Sequence, residues 1–111
     1  MFNQPTRTAR VAALLGMALA VTALHAAEGN AERGRIKATA CLGCHAIPSY
    51  NNVYPTYNVP KVGGQHAEYL VAALTAYRTG LRTHQTMNNN AMALSEQDIA
   101  DIAAFFSSAG H

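Results

Sequence analysis

The chain has 111 residues, which is enough for one small domain, and its formal net charge is +2. Arg7 and Arg10 account for that charge, because basic and acidic residues balance from Ala27 onward. A balanced chain gives no argument from net charge for nucleic-acid binding, so we expect no nucleic-acid partner.

The first 26 residues have the organisation of a secretory signal peptide. Arg7 and Arg10 form a basic start, "VAALLGMALAVTAL" is apolar, and small residues lead to Ala26. The apolar run is shorter than the roughly 20 residues that span a bilayer, so cleavage after Ala26 is favoured over a retained membrane anchor. We predict a leader at 1–26 and one exported domain at 27–111, without stable membrane insertion.

The first predicted helix covers 30–40, with Asn30 as its N-cap. Gly34 lies inside this helix, where glycine is unfavourable, and it indicates that another element approaches closely there. Residues 41–65 contain three prolines and three glycines, so we expect a long loop without regular structure. A loop of that length in a small domain is typical of a segment that surrounds a ligand.

Two further helices are predicted. One covers 66–80 and ends at Gly80, and the other covers 95–110, where Ser95 and Asp98 form a capping pair. We expect an apolar stripe on each helix to face the core. The stripe residues are Leu70, Ala73, Leu74 and Tyr77 on the first, and Ile99, Ile102, Phe105 and Phe106 on the second. With no alternating strand pattern, the predicted class is all-α.

The motif "CLGCH" is the signal for covalent haem attachment. Cys41 and Cys44 form thioethers with the haem vinyl groups, and His45 provides an imidazole for the iron. A thioredoxin-like pair would need a βαβ context, and a zinc site would need a second cysteine pair. We therefore predict one haem c, covalent through both cysteines, which also supplies the core that a short chain lacks.

Three segments together resemble the class I c-type cytochromes: "CLGCH", "VPKVGGQHAEYL", and a methionine ahead of "LSEQDIADIAAFF". The chain is most similar to small bacterial periplasmic monohaem proteins and to single halves of the dihaem periplasmic type. The resemblance implies an all-α fold of three main helices and long loops wrapped around one haem. It also implies a periplasmic location.

The resemblance assigns roles to several positions. His45 matches the proximal ligand, and Pro60 matches the proline whose carbonyl accepts a hydrogen bond from the other ring nitrogen of that ligand, which fixes the imidazole. Gly34 matches the glycine at which the last helix crosses the first, with Ile102 and Phe105 as packing partners.

The sixth iron ligand has three candidates in "RTHQTMNNNAMALSEQD". Met87 is favoured, because its polar surroundings offer no packing partner and because it matches the ligand position of the family. Met92 precedes Ser95 and is expected to pack onto the last helix. His84 is expected to be an exposed loop histidine, as is His66. An open sixth position is the remaining alternative.

Polar residues near the predicted haem have less specific interpretations. Arg82 and Gln65 are candidate partners of the propionates, and a solvated Arg82 is the alternative. Asn90 is a candidate donor to the sulfur of Met87. Asn88 or Asn89 would turn the loop, and turn formation alone is the alternative role for all three asparagines. Three tyrosines of the long loop either shield the haem edge or bind a propionate: Tyr50, Tyr54 and Tyr57.

The resemblance implies a one-electron carrier and not an enzyme, because a thioether ligand fills the sixth position. Its partners would be a dehydrogenase as electron donor and an oxidase or reductase as acceptor. One alternative is a permanent electron-accepting subunit of a periplasmic dehydrogenase. Another is a haem enzyme or gas sensor with a labile sixth ligand.

Overall fold

The structure is a computed structural model that describes residues 27–109. The predicted leader at 1–26 lies outside the described residues. Within them the chain forms five α-helices and one antiparallel hairpin, which confirms the all-α class. None of these helices is both long and apolar enough to cross a bilayer. The elements are α1 (Ala31–Lys37), α2 (Thr39–His45), β1 (Asn51–Val53), β2 (Thr56–Asn58), α3 (Ala67–Thr79), α4 (Gln85–Ala91) and α5 (Glu96–Ser108).

The helix ends follow the sequence signals. The Asn30 side chain accepts a hydrogen bond from the backbone N–H of Arg33 and caps α1. Ser95 and Asp98 form a reciprocal capping box at the start of α5. Gly80 ends α3 in the left-handed conformation, with φ of 81°. These predicted caps are confirmed.

α1 packs most extensively against α5, and the two helices meet closely at Gly34. A Cβ atom at Gly34 would overlap the backbone carbonyl of Asp101 and would lie 2.9 Å from Cβ of Phe105. The expected close approach is confirmed. The nearest contacts are Asp101 and Phe105, whereas Ile102, which was also expected there, lies in the core.

The buried core lies where α5 packs against α3 and the start of α2. It consists of Ala38, Leu70, Ile102, Ala103 and Phe106. Of the stripe predicted on α3, only Leu70 is buried, while Ala73, Leu74 and Tyr77 are half-buried and line a cavity. The apolar face of α3 is therefore shared between the core and that cavity.

The prediction of a long segment without regular structure at 41–65 is wrong in two places. The helix predicted at 30–40 is interrupted at Ala38, and α2 then continues through the cysteine motif to His45. Pro48 lies beyond that end, so no proline interrupts α2. The hairpin of β1 and β2 was also missed, because strands of three residues are too short for an alternating pattern to be recognised.

The polar segment at 85–91 was expected to be a loop and instead forms α4. Asparagine has low helix propensity, so local preference does not explain this helix. The Asn88 side chain donates hydrogen bonds of 2.7 Å to the carbonyl of Tyr77 and 2.9 Å to that of Arg82. It also accepts one of 2.7 Å from the backbone N–H of His84. Tertiary hydrogen bonds therefore hold α4 against the end of α3.

Candidate haem-binding site

A cavity of about 270 Å³ lies between α2, α3, α4 and the segment that follows β2. The cysteine motif lines it from α2, with Cys41, Cys44 and His45. Met87 lines it from α4. These side chains come from elements about forty residues apart in sequence.

His45 lies at the end of α2, where its imidazole reaches the backbone of the segment after β2. Its Nδ1 atom lies 2.7 Å from the carbonyl oxygen of Pro60. A carbonyl only accepts, so Nδ1 carries the proton in this contact and Nε2 is left as the nitrogen with a lone pair. Such a second contact orients an imidazole and increases its basicity as a metal ligand.

The two cysteines are one helical turn apart on α2, both are half-buried, and no disulfide joins them. Burial raises the pKa of the Cys41 thiol above its usual value. Both sulfur-bearing side chains line the same cavity, as the geometry of a double thioether attachment requires.

The two methionines of the domain lie in different environments. Met87 is half-buried and lines the cavity. Met92 is 68% exposed, so the expectation that it packs at the entrance of α5 is wrong. Met92 is the C-cap of α4, three residues before Ser95, and its side chain is exposed there.

The asparagines beside Met87 have structural partners. The Asn90 side chain donates to the carbonyl of Thr86 at 2.8 Å, so in this conformation its amide serves the helix and not the sulfur of Met87. Asn88 holds α4 in place through the hydrogen bonds described above, and Asn89 is exposed on the same helix. The expectation that asparagines turn a loop here is wrong, because all three lie within α4.

The two histidines expected to be exposed differ. His66 is exposed at the start of α3. His84 lines the cavity instead, and its ring packs edge-on against Tyr57, with 4.6 Å between ring centroids. The sequence does not signal this contact, because it joins β2 to the start of α4 across 27 residues.

The candidate propionate partners also line the cavity. Arg82 is exposed, and its guanidinium lies 4.7 Å from the centroid of the Tyr77 ring, where a cation–π contact holds it. Gln65 is exposed, and its amide lies 3.5 Å from the carbonyl oxygen of Lys61.

Of the three tyrosines in the long loop, only Tyr57 lines the cavity. Its hydroxyl lies 3.2 Å from that of Thr86, which connects β2 to α4. Tyr54 is 95% exposed at the tip of the hairpin. The Tyr50 hydroxyl lies 3.4 Å from the side-chain oxygen of Asn52.

The residues that line the cavity fit a covalently attached haem. Two thiols, one imidazole with an engaged Nδ1 and one thioether provide attachment points and axial donors of the types that haem iron accepts. Apolar side chains of α3 supply a wall for the macrocycle, and they include Leu70, Ala73 and Leu74.

Several bacterial cytochromes are similar to this chain in sequence. Cytochrome c4 of Pseudomonas aeruginosa is 38% identical over 92 residues, which cover 83% of this chain and 44% of that protein. Cytochrome c-554(548) of Halomonas halodenitrificans is 40% identical over 83 residues, which cover 72% of this chain and 96% of that protein. The cytochrome subunit of sulfide dehydrogenase of Chlorobaculum tepidum is 30% identical over 74 residues, which cover 67% of this chain and 64% of that protein. The chain thus spans about half the length of its cytochrome c4 relative.

A solved structure of cytochrome c4 from Acidithiobacillus ferrooxidans has the same fold. Its TM-score is 0.57 at 27% identity, over 74% of this chain and 51% of that one. The family model described as cytochrome c matches residues 31–110, a range that includes the cysteine motif and all the helices described above. The chain therefore belongs to the cytochrome c family, whose domain holds a covalently bound haem c and transfers electrons through it.

Proposed function

We propose that this chain is a periplasmic one-electron carrier, and not an enzyme, whose haem c has His45 and Met87 as axial ligands. The observation that carries the proposal is the convergence of four donors on one cavity. Cys41, Cys44, His45 and Met87 all line it, and the contact with Pro60 leaves Nε2 of His45 available. Met92 lies in solvent and is a poor competitor for the iron.

The side chains of the cavity suit electron transfer better than substrate chemistry. When bound, haem c supplies the one-electron couple. The carbonyl of Pro60 holds the imidazole of His45 in one orientation, and the hydrogen bonds of Asn88 hold the helix that carries Met87. With both ligands held in this way, little would rearrange between oxidation states, and no coordination position would remain for a substrate.

A first experiment is the absorption spectrum of the oxidised protein, which tests Met87 as the sixth ligand. We expect the weak sulfur-to-iron charge-transfer band in the parent protein and in Met87-retaining variants, because a bound thioether produces it. Met87→Ala should lose the band completely, and its reduced form should bind carbon monoxide rapidly.

Met92→Ala is the matched control, because it removes the same side chain from the neighbouring exposed site. It should keep the band and should exclude carbon monoxide as the parent does. A band that survives in Met87→Ala and disappears in Met92→Ala would reverse the assignment. Rapid carbon monoxide binding by the parent protein would instead support a haem enzyme or sensor.

A second candidate function is an electron-accepting subunit of a periplasmic dehydrogenase. The similarity to the cytochrome subunit of a sulfide dehydrogenase favours it. The two functions share the haem site and differ in association. A free carrier should elute alone in gel filtration at low micromolar concentration. Its redox partners would be a dehydrogenase as electron donor and an oxidase or reductase as electron acceptor. A subunit should co-purify with a larger dehydrogenase chain.

A further inference from the structure

The helix that carries Met87 has little support of its own. α4 has seven residues, and three of them are asparagines. A helix this short is marginally stable in water, and asparagine has low helix propensity. Its N-cap, His84, makes no capping hydrogen bond with its side chain. Among the helices of residues 27–109, α4 lies beside α3 and beside no other. The position of Met87 therefore depends on what ties α4 to α3.

The side chain of Asn88 makes this connection with both of its polar atoms. Its amide nitrogen donates to the carbonyls of Tyr77 and Arg82, at 2.7 and 2.9 Å. Its amide oxygen accepts from the backbone N–H of His84 at 2.7 Å. Reversing the amide would set its nitrogen against an N–H group and its oxygen against two carbonyls, so only one orientation is bonded. This fixed side chain belongs to the residue that follows Met87.

The segment after α4 is attached to the same part of α3. Nη1 of Arg78 donates to the carbonyl of Leu94 at 3.1 Å, and the Leu94 side chain packs against the core. Arg78 directly follows Tyr77, whose carbonyl accepts from Asn88. Met87 thus lies beside one attachment to the end of α3 and seven residues before the other.

We propose that Asn88 is a positioning residue for the sixth ligand: its hydrogen bonds keep Met87 on the haem iron and set how rarely that ligand leaves. Asn88 acts through the placement of α4 and not by contact with the iron. Loss of its bonds frees a short and intrinsically weak helix, so the thioether dissociates more often while the core of α3 and α5 stays folded. The inference rests on the proposed function, in which Met87 is the sixth ligand.

Carbon monoxide binding by the ferrous haem protein measures how often the sixth ligand leaves, because the gas binds only after the thioether has dissociated. At saturating carbon monoxide, the observed rate constant approaches that of ligand dissociation. Asn88→Ala removes all three side-chain hydrogen bonds. Since each hydrogen bond is worth a severalfold change in an equilibrium constant, we expect this variant to bind carbon monoxide at least about tenfold faster than the parent.

Asn88→Asp separates the two donated bonds from the accepted one. The carboxylate keeps the size of the amide and still accepts from the backbone N–H of His84, but it has no hydrogen for the carbonyls of Tyr77 and Arg82. We expect carbon monoxide binding to be faster than in the parent here too, because the lost bonds are those that reach α3 and the loop after it.

Two control variants separate this effect from helix propensity and from global stability. Asn89→Ala makes the same replacement at an exposed position of the same helix and should bind carbon monoxide at the rate of the parent. In Gly34→Ala the added Cβ would overlap the carbonyl of Asp101 at the crossing of α1 and α5, which does not involve α4. It should lower the free energy of unfolding without accelerating carbon monoxide binding.

A measurement on the unmodified protein does not depend on how well the variants fold. In the ferrous haem protein, the backbone N–H of His84 should exchange slowly with solvent, because the Asn88 side chain accepts from it. Hydrogen exchange followed by NMR checks this. Exchange of that N–H group at the rate of an unstructured chain would overturn the proposal.

Carbon monoxide binding at the parent rate in Asn88→Ala or Asn88→Asp would also overturn it. Equal acceleration in Asn88→Ala and in either control variant would do the same, since helix propensity or global stability would then explain the effect. In these outcomes the parent still shows the charge-transfer band and excludes carbon monoxide, so the proposed function stands. A parent that lacks the band, or binds the gas rapidly, would overturn the proposed function and this inference with it.

Discussion

Asp101 is the only buried charged side chain among the described residues, with 1% exposure. Its carboxylate accepts hydrogen bonds from Nε of Arg33 at 2.8 Å, from the backbone N–H of Asn30 at 2.7 Å and from the side chain of Gln97 at 2.9 Å. The hydrogen bond from Arg33 is the main cause that holds the pKa of this carboxyl well below its usual range, and burial opposes it. This single side chain therefore joins α5 to both the cap and the first turn of α1.

Replacing Asp101 tests this junction. Asp101→Asn keeps the shape but loses the charge, and it presents an amide N–H to donors, so we expect about 2 kcal/mol lower free energy of unfolding at pH 7. Denaturant unfolding of the haem protein measures this. Glu32→Gln is the control, since the ion pair of Glu32 with Arg35 is exposed, and no measurable loss is expected.

The lowered pKa of Asp101 predicts that its contribution to the free energy of unfolding depends on pH. The folded-state pKa of Asp101 is lowered, so its stabilisation is present above the pKa of an unfolded aspartate and is lost as the pH falls from there toward the folded value. The stability difference between the parent and Asp101→Asn should therefore be constant at neutral pH and should begin to shrink below about pH 4. A difference that grows on acidification would contradict this account.

At the residue scale, the sequence allows prediction where chemistry requires a fixed spacing. "CLGCH" indicates haem because two thiols and an imidazole must reach one macrocycle. The position of the His84 ring could not be predicted, because its burial depends on a tertiary contact with Tyr57. The exposure of Met92 was missed for a related reason. A methionine just before an N-cap often packs on the helix, but Met92 is the C-cap of the preceding helix α4, and its side chain is exposed.

At the scale of elements, the crossing of α1 and α5 depends on one missing side chain. We expect Gly34→Ala to lower the free energy of unfolding by about 2 kcal/mol or more, because the added Cβ would overlap the Asp101 carbonyl and a backbone cannot move aside easily. Thermal unfolding of the haem protein measures the loss. Alanine in place of glycine stabilises a helix by up to about 1 kcal/mol. The destabilisation from the overlap at position 34 is expected to be larger than this gain.

Gly43→Ala is the matched control for this substitution. Gly43 is also helical, and a Cβ atom there meets nothing within 4 Å. It should leave stability unchanged or raise it slightly, since only the helix preference acts. If both variants lose the same stability, helix crossing is not the reason for the glycine at position 34.

The elements that were predicted correctly have strong local signals, and those that were missed do not. The ends of α3 and α5 follow from Gly80 and from the capping box at Ser95. α4 could not be predicted, because its stability comes from the Asn88 hydrogen bonds to the end of α3 and not from its own residues.

At the scale of the whole molecule, we expect the chain to be exported and cleaved after Ala26, leaving a domain of 27–111. Expression with the leader should yield a periplasmic protein whose mass corresponds to a chain beginning at Ala27 with one haem attached. A variant that lacks residues 2–26 should stay in the cytoplasm. Recovery of the haem protein only from membranes, with the leader retained, would contradict this prediction.

The carboxylate of Asp101 also has a consequence for the order of folding. Its bonds to Asn30 and Arg33 close loops of 71 and 68 residues, and closure of a flexible loop of that length costs about 4 kcal/mol of chain entropy. Contacts of such long range form late, after local helices and turns. A haem fixed at Cys41 and Cys44 and bound by Met87, as proposed, divides that loop into shorter ones. Cofactor attachment then acts as a topological cross-link that lowers the entropic cost of bringing the first and last helices together.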